Sequence, residues 1–151
     1  MKKILTLLLV TLIYGCGFTS VYKEQKNQNI NIIVNNLDGD FEFNSFLNNE
    51  LKLVSNKESL NLYNLSFISK YNKEVITKDA SGQATDYELT LDVNFKIIGD
   101  KAQNINFNES IKIKHNSENF EQSNYEKEIK RNFAKSITDK LIAKLLISDD
   151  N

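Results

Sequence analysis

The sequence has 151 residues, a formal net charge of -1, 40% hydrophobic residues and 26% charged residues. This length fits one domain, and the chain is too apolar to be fully disordered. Nucleic acid is not expected as a partner, because the chain is weakly acidic and nucleic-acid binding depends on Lys and Arg side chains that neutralise phosphates. The sequence has a single cysteine, so no internal disulfide can form. It also has a single histidine, and one Cys with one His are too few ligands for a zinc site built from these residue types.

The first fifteen residues are organised like a secretory signal peptide. Lys2 and Lys3 are followed by an apolar run over residues 4–13. A helix of about ten residues spans roughly 15 Å, half of a bilayer's hydrocarbon core, so the run fits a signal peptide rather than a transmembrane helix. Residues 13–16 (Ile-Tyr-Gly-Cys) resemble the lipobox of bacterial lipoproteins, in which the cysteine is acylated.

We therefore expect residues 1–15 to be removed and Cys16 to carry fatty acyl chains such as palmitate. Each buried methylene adds about 0.8 kcal/mol of membrane affinity, so several chains hold a protein almost permanently. Residue 17 is Gly, and lipoproteins of this kind that lack Asp after the cysteine are transported to the outer membrane. The expected location is the periplasmic face of that membrane, with residues 16–29 as a polar tether and residues 30–151 as one domain.

The domain begins with a predicted strand over Ile30–Val34, whose residues are mostly β-branched. Residues 38–40 (Asp-Gly-Asp) predict a turn, and Asp40 can cap a following helix by accepting backbone N–H bonds. A helix is predicted over Phe41–Val54, since one apolar stripe has helical spacing. The stripe consists of Phe43, Phe46, Leu47, Leu51 and Val54.

Three more strands are predicted, over residues 60–71, 84–97 and 104–113. In the first, Tyr63, Leu65, Phe67, Ser69 and Tyr71 lie in one phase. In the other two, apolar and polar residues alternate, which places one set on each face of a sheet. Glu109 interrupts the apolar set of the last strand, and Gly99 with Asp100 supplies the turn before it. One face of the sheet is therefore expected to be apolar and the other wet, as in antiparallel sheets covered on one side.

A long helix is predicted over Glu121–Ile147, where apolar residues recur every four positions from Ile129 to Leu145. Basic residues occupy much of its remaining surface and are interpreted as a wet helix face. The predicted fold is α+β with the order β-α-β-β-β-α. Both helices are expected to pack on the apolar face of a four-stranded, mostly antiparallel sheet.

Three stretches of the sequence resemble the LptE family of lipopolysaccharide-assembly lipoproteins. Residues 15–18 (Gly-Cys-Gly-Phe) are similar to the start of the mature family sequence. Residues 82–89 (Gly-Gln-Ala-Thr-Asp-Tyr-Glu-Leu) are similar to a hairpin and strand of the family, and residues 141–145 (Leu-Ile-Ala-Lys-Leu) to the end of its last helix. The resemblance extends over essentially the whole mature chain.

The resemblance implies a protein without enzymatic activity that plugs a large outer-membrane β-barrel similar to LptD. Together the two proteins would deliver lipopolysaccharide to the cell surface. Some family members are thought to contact lipopolysaccharide through basic residues near the turn that precedes residues 84–97. Here that turn, residues 78–82, reads Lys-Asp-Ala-Ser-Gly and contains no Arg, so Lys78 is the candidate contact.

A second hypothesis is a lipid-tethered periplasmic binding or inhibitor module, because a fold does not determine function. It predicts a pocket between sheet and helices lined by Tyr63, Tyr87 and Phe95. An enzyme is disfavoured, and no cofactor or metal is expected, because the sequence lacks a nucleophile with its base and a glycine-rich phosphate loop. The polar face of residues 84–97 carries the carboxylates Asp86, Glu88 and Asp92, which are interpreted as part of the sheet surface. His115 is interpreted as a surface residue as well.

Overall fold

The computed structural model describes residues 29–99 and 102–149, which form six elements in the predicted order β-α-β-β-β-α. The strands are β1 (Asn31–Gly39), β2 (Leu62–Lys78), β3 (Ala84–Ile98) and β4 (Gln103–Lys114). The helices are α1 (Phe41–Val54) and α2 (Asn119–Asp149). The bounds of α1 are as predicted, whereas β1 and β2 both continue beyond their predicted ends.

The four strands form one sheet in the order β1-β2-β3-β4. β1 and β2 are parallel, because α1 crosses from the end of one strand to the beginning of the next. β2, β3 and β4 are antiparallel neighbours joined by two hairpin connections. The predicted four-stranded, mostly antiparallel sheet is therefore confirmed.

One hydrophobic core joins the inner face of the sheet to both helices. On β3 the alternating residues from Leu89 to Ile97 are all buried, and one of them, Phe95, packs against two other rings. Its ring centroid lies 5.4 Å from that of Phe67 on β2 and 6.0 Å from that of Phe107 on β4. The helices contribute Phe43, Leu47, Leu51, Val54, Ile129, Phe133, Ala134, Ile137, Leu141, Ile142 and Leu145. Both helices thus pack on one face, as predicted.

Glu109 interrupts the apolar pattern of β4 because it contacts polar groups of α2. It lies opposite Leu91 of β3, on the inner face of the sheet. The Ser136 hydroxyl donates a 2.8 Å hydrogen bond to its carboxylate, and Lys140 Nζ lies 2.6 Å away. An inward carboxylate at the edge of the core is thereby paired rather than left unsatisfied.

The connection between β1 and α1 lies directly against the middle of β2. Gly39 has φ of +102° and pairs with Ser69, and a Cβ at this position would lie 1.8 Å from the Ser69 carbonyl oxygen. Asp40 follows and caps α1, as predicted, by accepting the Phe43 N–H at 2.8 Å. Only glycine combines this backbone conformation with this close approach.

Candidate functional site

Two residues were predicted to be functional, and the structure describes one of them. Cys16 lies outside the described residues. Lys78 is exposed and is the last residue of β2, where the chain turns into β3. The end of the molecule at this turn, with the neighbouring end of β4, is called the hairpin end below.

The turn after Lys78 is organised by Asp79. Its carboxylate accepts hydrogen bonds from the Ser81 hydroxyl at 2.6 Å and the Gln83 N–H at 2.9 Å, and Gly82 adopts φ of +85°. These hydrogen bonds hold the pKa of the Asp79 carboxyl below its usual value, and the bond from the Ser81 hydroxyl has the largest effect. The turn therefore keeps its hydrogen bonds at neutral pH and loses them only as the pH falls through this lowered pKa.

Two further lysines, Lys112 and Lys114, lie at the hairpin end on the same face of the sheet as Lys78. Lys78 pairs with Ala84 of β3, and Lys114 pairs with Asp86 two positions further along that strand. Paired residues direct their side chains to one face, here the outer face that both helices leave uncovered. Two strand spacings and two residues of rise separate Lys78 from Lys114 by roughly 12 Å.

The three ammonium groups are accompanied by carboxylates. Lys114 lies opposite Asp86, and Lys112 lies opposite Glu88. The hydroxyls of Thr77 and Thr85 and the charge of Lys114 hold the pKa of the Asp86 carboxyl below its usual value. The hairpin end is thus a surface of alternating sign, suited to a few specific anionic groups rather than to a long polyanion.

An open cleft of about 630 Å³ lies beside these lysines where β4 leads into α2. It is lined by Lys112, Ile113, Lys114, His115, Asn116, Ser117 and Tyr125. The His115 ring packs edge-on against Tyr87, with 5.8 Å between centroids. His115, interpreted from the sequence as a surface residue, is indeed exposed, and it forms one wall of this cleft.

Sequence reasoning missed Lys112 and Lys114 as companions of Lys78. Their alternation with Ile111 and Ile113 already indicated an outward orientation. Their distance from the hairpin depends on the β3–β4 register, which could have been counted outward from the Gly99 turn. This count would have placed Lys112 and Lys114 near Lys78 from the sequence alone.

Tyr63, Tyr87 and Phe95, proposed to line one pocket, are not brought together. Tyr63 is near the start of β2, whereas Tyr87 pairs with Val75 near the far end of that strand. At 3.3 Å per residue these positions are roughly 40 Å apart. Phe95 is fully buried, and its ring packs against those of Phe67 and Phe107. This arrangement counts against the binding-module hypothesis in the form predicted.

The three carboxylates on the polar face of β3 also do not converge. Asp86 accepts hydrogen bonds from Thr77 and Thr85, while Asp92 accepts one from Asn108 at 2.7 Å. Within residues 29–99 and 102–149, no group of three His, Cys, Asp or Glu side chains is placed to hold a metal ion. These carboxylates belong to the outer sheet surface, as interpreted from the sequence.

Lys130, interpreted as part of the wet face of α2, is instead buried, with 8% exposure. Its Nζ lies 3.0 Å from both carboxylate oxygens of Asp40, 3.3 Å from Glu42 and 4.2 Å from the centroid of the Tyr71 ring. Burial, with the carboxylates of Glu126 and Asp40, raises the pKa of the Tyr71 hydroxyl above its usual value. Lys130 therefore connects α2 to the beginning of α1 and to the sheet.

Replacing Lys130 with methionine is expected to lower the free energy of unfolding by about 1–3 kcal/mol. The change keeps most of the apolar stem but leaves Asp40 without its cation. Asp40 retains the Phe43 N–H and some solvent contact, so the loss stays below that of a fully buried pair. Chemical denaturation measures the effect, with the exposed Lys135→Met on the same helix as control. Equal stability of the two variants would contradict the role given to Lys130.

Two solved structures that share the fold are described as lipoproteins. A rare lipoprotein B from Shewanella oneidensis superposes with a TM-score of 0.56 at 16% identity, covering 77% of this chain and 96% of the other. A putative lipoprotein from Caulobacter crescentus superposes with a TM-score of 0.53 at 12% identity, covering 86% and 97%. At these identities the likeness defines the fold alone, two helices on one face of a four-stranded sheet.

The family follows from the sequence itself. The family model LptE, described as lipopolysaccharide-assembly, matches residues 26–145, and the chain therefore belongs to the LptE family. This confirms the resemblance found in the sequence and makes the chain a lipopolysaccharide-assembly lipoprotein by family. A search of curated proteins finds no match. In the part of the chain that the structure describes, no helix is both long and apolar enough to cross a membrane.

Proposed function

We propose that this protein is a non-enzymatic subunit that plugs an outer-membrane β-barrel similar to LptD and helps to assemble lipopolysaccharide at the cell surface. The observation that carries the proposal is the LptE match over residues 26–145, which includes every buried residue of the core.

Cys16 attaches the protein to the periplasmic face of the outer membrane in this proposal. The tether, residues 16–29, has 14 residues, which reach at most about 45–50 Å when extended. That length lets the domain enter a barrel lumen from the periplasm while its lipid remains in the inner leaflet. The anchor then determines where the protein works, and the folded domain determines what it contacts.

Direct contact with lipopolysaccharide would involve the hairpin end. Lys78, Lys112 and Lys114 present ammonium groups on one outer face, and phosphate oxygens accept charge-assisted hydrogen bonds from such groups. The opposing Asp86 and Glu88 limit the attraction, so a small number of phosphates is expected rather than a strong polyanion site. The contact would serve to guide a substrate that must be released.

Pull-down of the native lipidated protein from outer membrane in mild detergent tests the main proposal. A large β-barrel protein should copurify, and depletion of the chain should lower surface lipopolysaccharide. Recovery of the protein alone, together with normal surface lipopolysaccharide after depletion, would overturn the proposal.

A separate binding measurement tests the lysines. The double variant Lys78→Gln with Lys114→Gln should bind purified lipopolysaccharide about three- to tenfold more weakly, since exposed ion pairs contribute up to about 1 kcal/mol each. Lys57→Gln, at the opposite end of the sheet, is the matched control. Unchanged binding by the double variant would exclude the hairpin end while leaving the partnership with a barrel intact.

A chain lacking residues 1–16 is expected to fold without lipid or partner. The buried core extends from Ile30 to Leu145, so the deletion removes none of it. Circular dichroism should report mixed helix and sheet content, and thermal unfolding should be cooperative. A chain that is unfolded at neutral pH would mean that the lipid or the partner supplies folding free energy.

A further inference from the structure

β4 is an edge strand whose outer side is open in the described sheet. The strand order is β1-β2-β3-β4, so among residues 29–99 and 102–149 β4 pairs with β3 alone. The His115 N–H donates to the Thr85 carbonyl at 2.7 Å, which makes these two residues a hydrogen-bonded pair. Such pairs alternate along an antiparallel ladder, and the β3–β4 register is unbroken. The odd-numbered residues of β4 therefore bond to β3, and the backbone N–H and C=O groups of residues 104, 106, 108, 110, 112 and 114 face the open edge.

Little in β4 hinders the pairing of another strand. Proteins commonly protect sheet edges with proline, a bulge, a short strand or charged side chains. β4 has 12 residues without proline or a register shift, whereas the other edge strand, β1, has 9 residues and a bulge between Val34 and Asn36. The inward carboxylate of β4, Glu109, is paired with Lys140. Residues 103–108 carry no charged side chain, so this half of the edge is open to an added strand.

The outer side chains of β4 are bonded to β3 and leave the edge accessible. Asn94 of β3 donates a 2.6 Å hydrogen bond to Asn106, and Asn108 donates a 2.7 Å hydrogen bond to Asp92. Both asparagines of β4 are exposed, and these bonds draw their amides towards β3. Phe107 between them faces the core and is partly buried. An added strand would thus extend a polar ladder on one face of the sheet and an apolar one on the other.

Charge at this edge favours a partner chain over a second copy of this one. Lysines flank the edge on both faces of the sheet, namely Lys112 and Lys114 on the outer face and Lys140 and Lys144 of α2 on the inner face. The first two also face carboxylates of β3 on their other side. Pairing of β4 with its own copy would bring the α2 lysines of both chains together, and like charges oppose such contacts. An extended segment that carries carboxylates gains from the same lysines.

We propose that an extended, acidic segment of the barrel partner adds to the open edge of β4 as a fifth strand. The inference rests on the partnership proposed above. The wall strands of a closed barrel are already paired on both sides, so the added strand comes from a segment of the partner that folds into the lumen. Strand addition draws its affinity from main-chain hydrogen bonds, and only a polypeptide backbone repeats donors and acceptors at the spacing of β4.

Amide hydrogen exchange, measured residue by residue, tests the added strand directly. In the lipidated protein purified in mild detergent without the barrel, the N–H groups of Asn104, Asn106 and Asn108 should exchange rapidly, while those of Ile105 and Phe107 are protected by β3. In the complex copurified with the barrel, the three asparagine N–H groups should exchange at least about tenfold more slowly. Unchanged exchange at all three in that complex would overturn the inference.

Two substitutions at one position separate the backbone from the side chain. Asn106→Pro removes an N–H that β3 does not use, at an edge position where proline is compatible with a sheet. It should lower the amount of barrel recovered per copy of the protein at least about fivefold, since a carbonyl of the added strand loses its donor. Asn106→Ala keeps the N–H and should recover the barrel as the unsubstituted protein does. Equal recovery by the two variants would contradict strand addition.

The same measurements separate this inference from the partnership that it rests on. If circular dichroism shows that Asn106→Pro loses sheet content, exchange in the unsubstituted protein decides alone. Failure of any barrel to copurify would overturn the partnership and the added strand together, whereas a copurified barrel with unchanged exchange overturns the added strand alone. Slow exchange of the asparagine N–H groups without the barrel, lost on dilution, would identify a second copy on β4 and would also overturn the inference.

Discussion

Replacing Gly39 with alanine should lower the free energy of unfolding by at least about 3 kcal/mol, enough to prevent folding in a domain of ordinary stability. The φ of +102° already costs an L-residue about 1–2 kcal/mol. The larger part comes from the added Cβ, which would lie 1.8 Å from the Ser69 carbonyl oxygen. The Cβ is fixed directly to the backbone and the carbonyl oxygen is part of it, so β1 must move away from β2 and take the cap of α1 with it.

Gly82→Ala is the matched control for this prediction. Gly82 also has a positive φ, of +85°, but a Cβ there would have no heavy atom within 4 Å. Only the conformational cost of about 1–2 kcal/mol should appear in denaturant unfolding. Similar losses in the two variants would show that the close approach of Gly39 to β2 contributes little.

Replacing Phe95 with alanine should lower the free energy of unfolding by about 3–5 kcal/mol. Phe95 is fully buried on β3, in the interior of the sheet, where its ring contacts the rings of Phe67 and Phe107. Removing the ring leaves a cavity in the core beside Phe67 and Phe107, and the three strands cannot close on it without breaking sheet hydrogen bonds. The loss should appear as a lower denaturant midpoint with an unchanged slope.

Phe120→Ala tests whether the effect depends on burial rather than on residue type. Phe120 is 78% exposed in the first turn of α2, and its replacement should change stability by less than about 0.5 kcal/mol. A loss at Phe120 comparable with the loss at Phe95 would contradict the assignment of the core.

The parts of the fold predicted best are those for which local signals agree. α1 has a capping Asp40 and an apolar stripe, and both of its ends were predicted correctly. β1 continues past Val34 although its apolar and polar residues no longer alternate there. After a bulge between Val34 and Asn36, its backbone remains paired with β2 as far as Gly39. β2 likewise continues to Lys78 as an exposed arm paired with β3, where no alternation of buried and exposed residues marks a strand in the sequence.

Only the part of the candidate site that depends on neighbouring residues in the sequence was predicted. Lys78 could be placed by the turn beside it, whereas Lys112 and Lys114 reach the same face through cross-strand register. Lys130 was assigned to the helix surface because its neighbours on α2 are charged. Its burial depends on the beginning of α1, 90 residues earlier in the chain, and helical periodicity carries no information about that contact.

The parallel pairing of β1 with β2 would have a mechanical consequence if the protein is attached by its N-terminus, as proposed. Tension on the tether pulls β1 out along its own axis, starting at Asn31, while β2 runs beside it in the same direction. The hydrogen bonds between the two strands lie across that axis and are loaded in shear, so they must fail together. In an antiparallel hairpin pulled apart at its open end they would open one at a time. Under the proposed attachment, β1 would therefore resist a pulling force with all of its hydrogen bonds to β2 loaded at the same time.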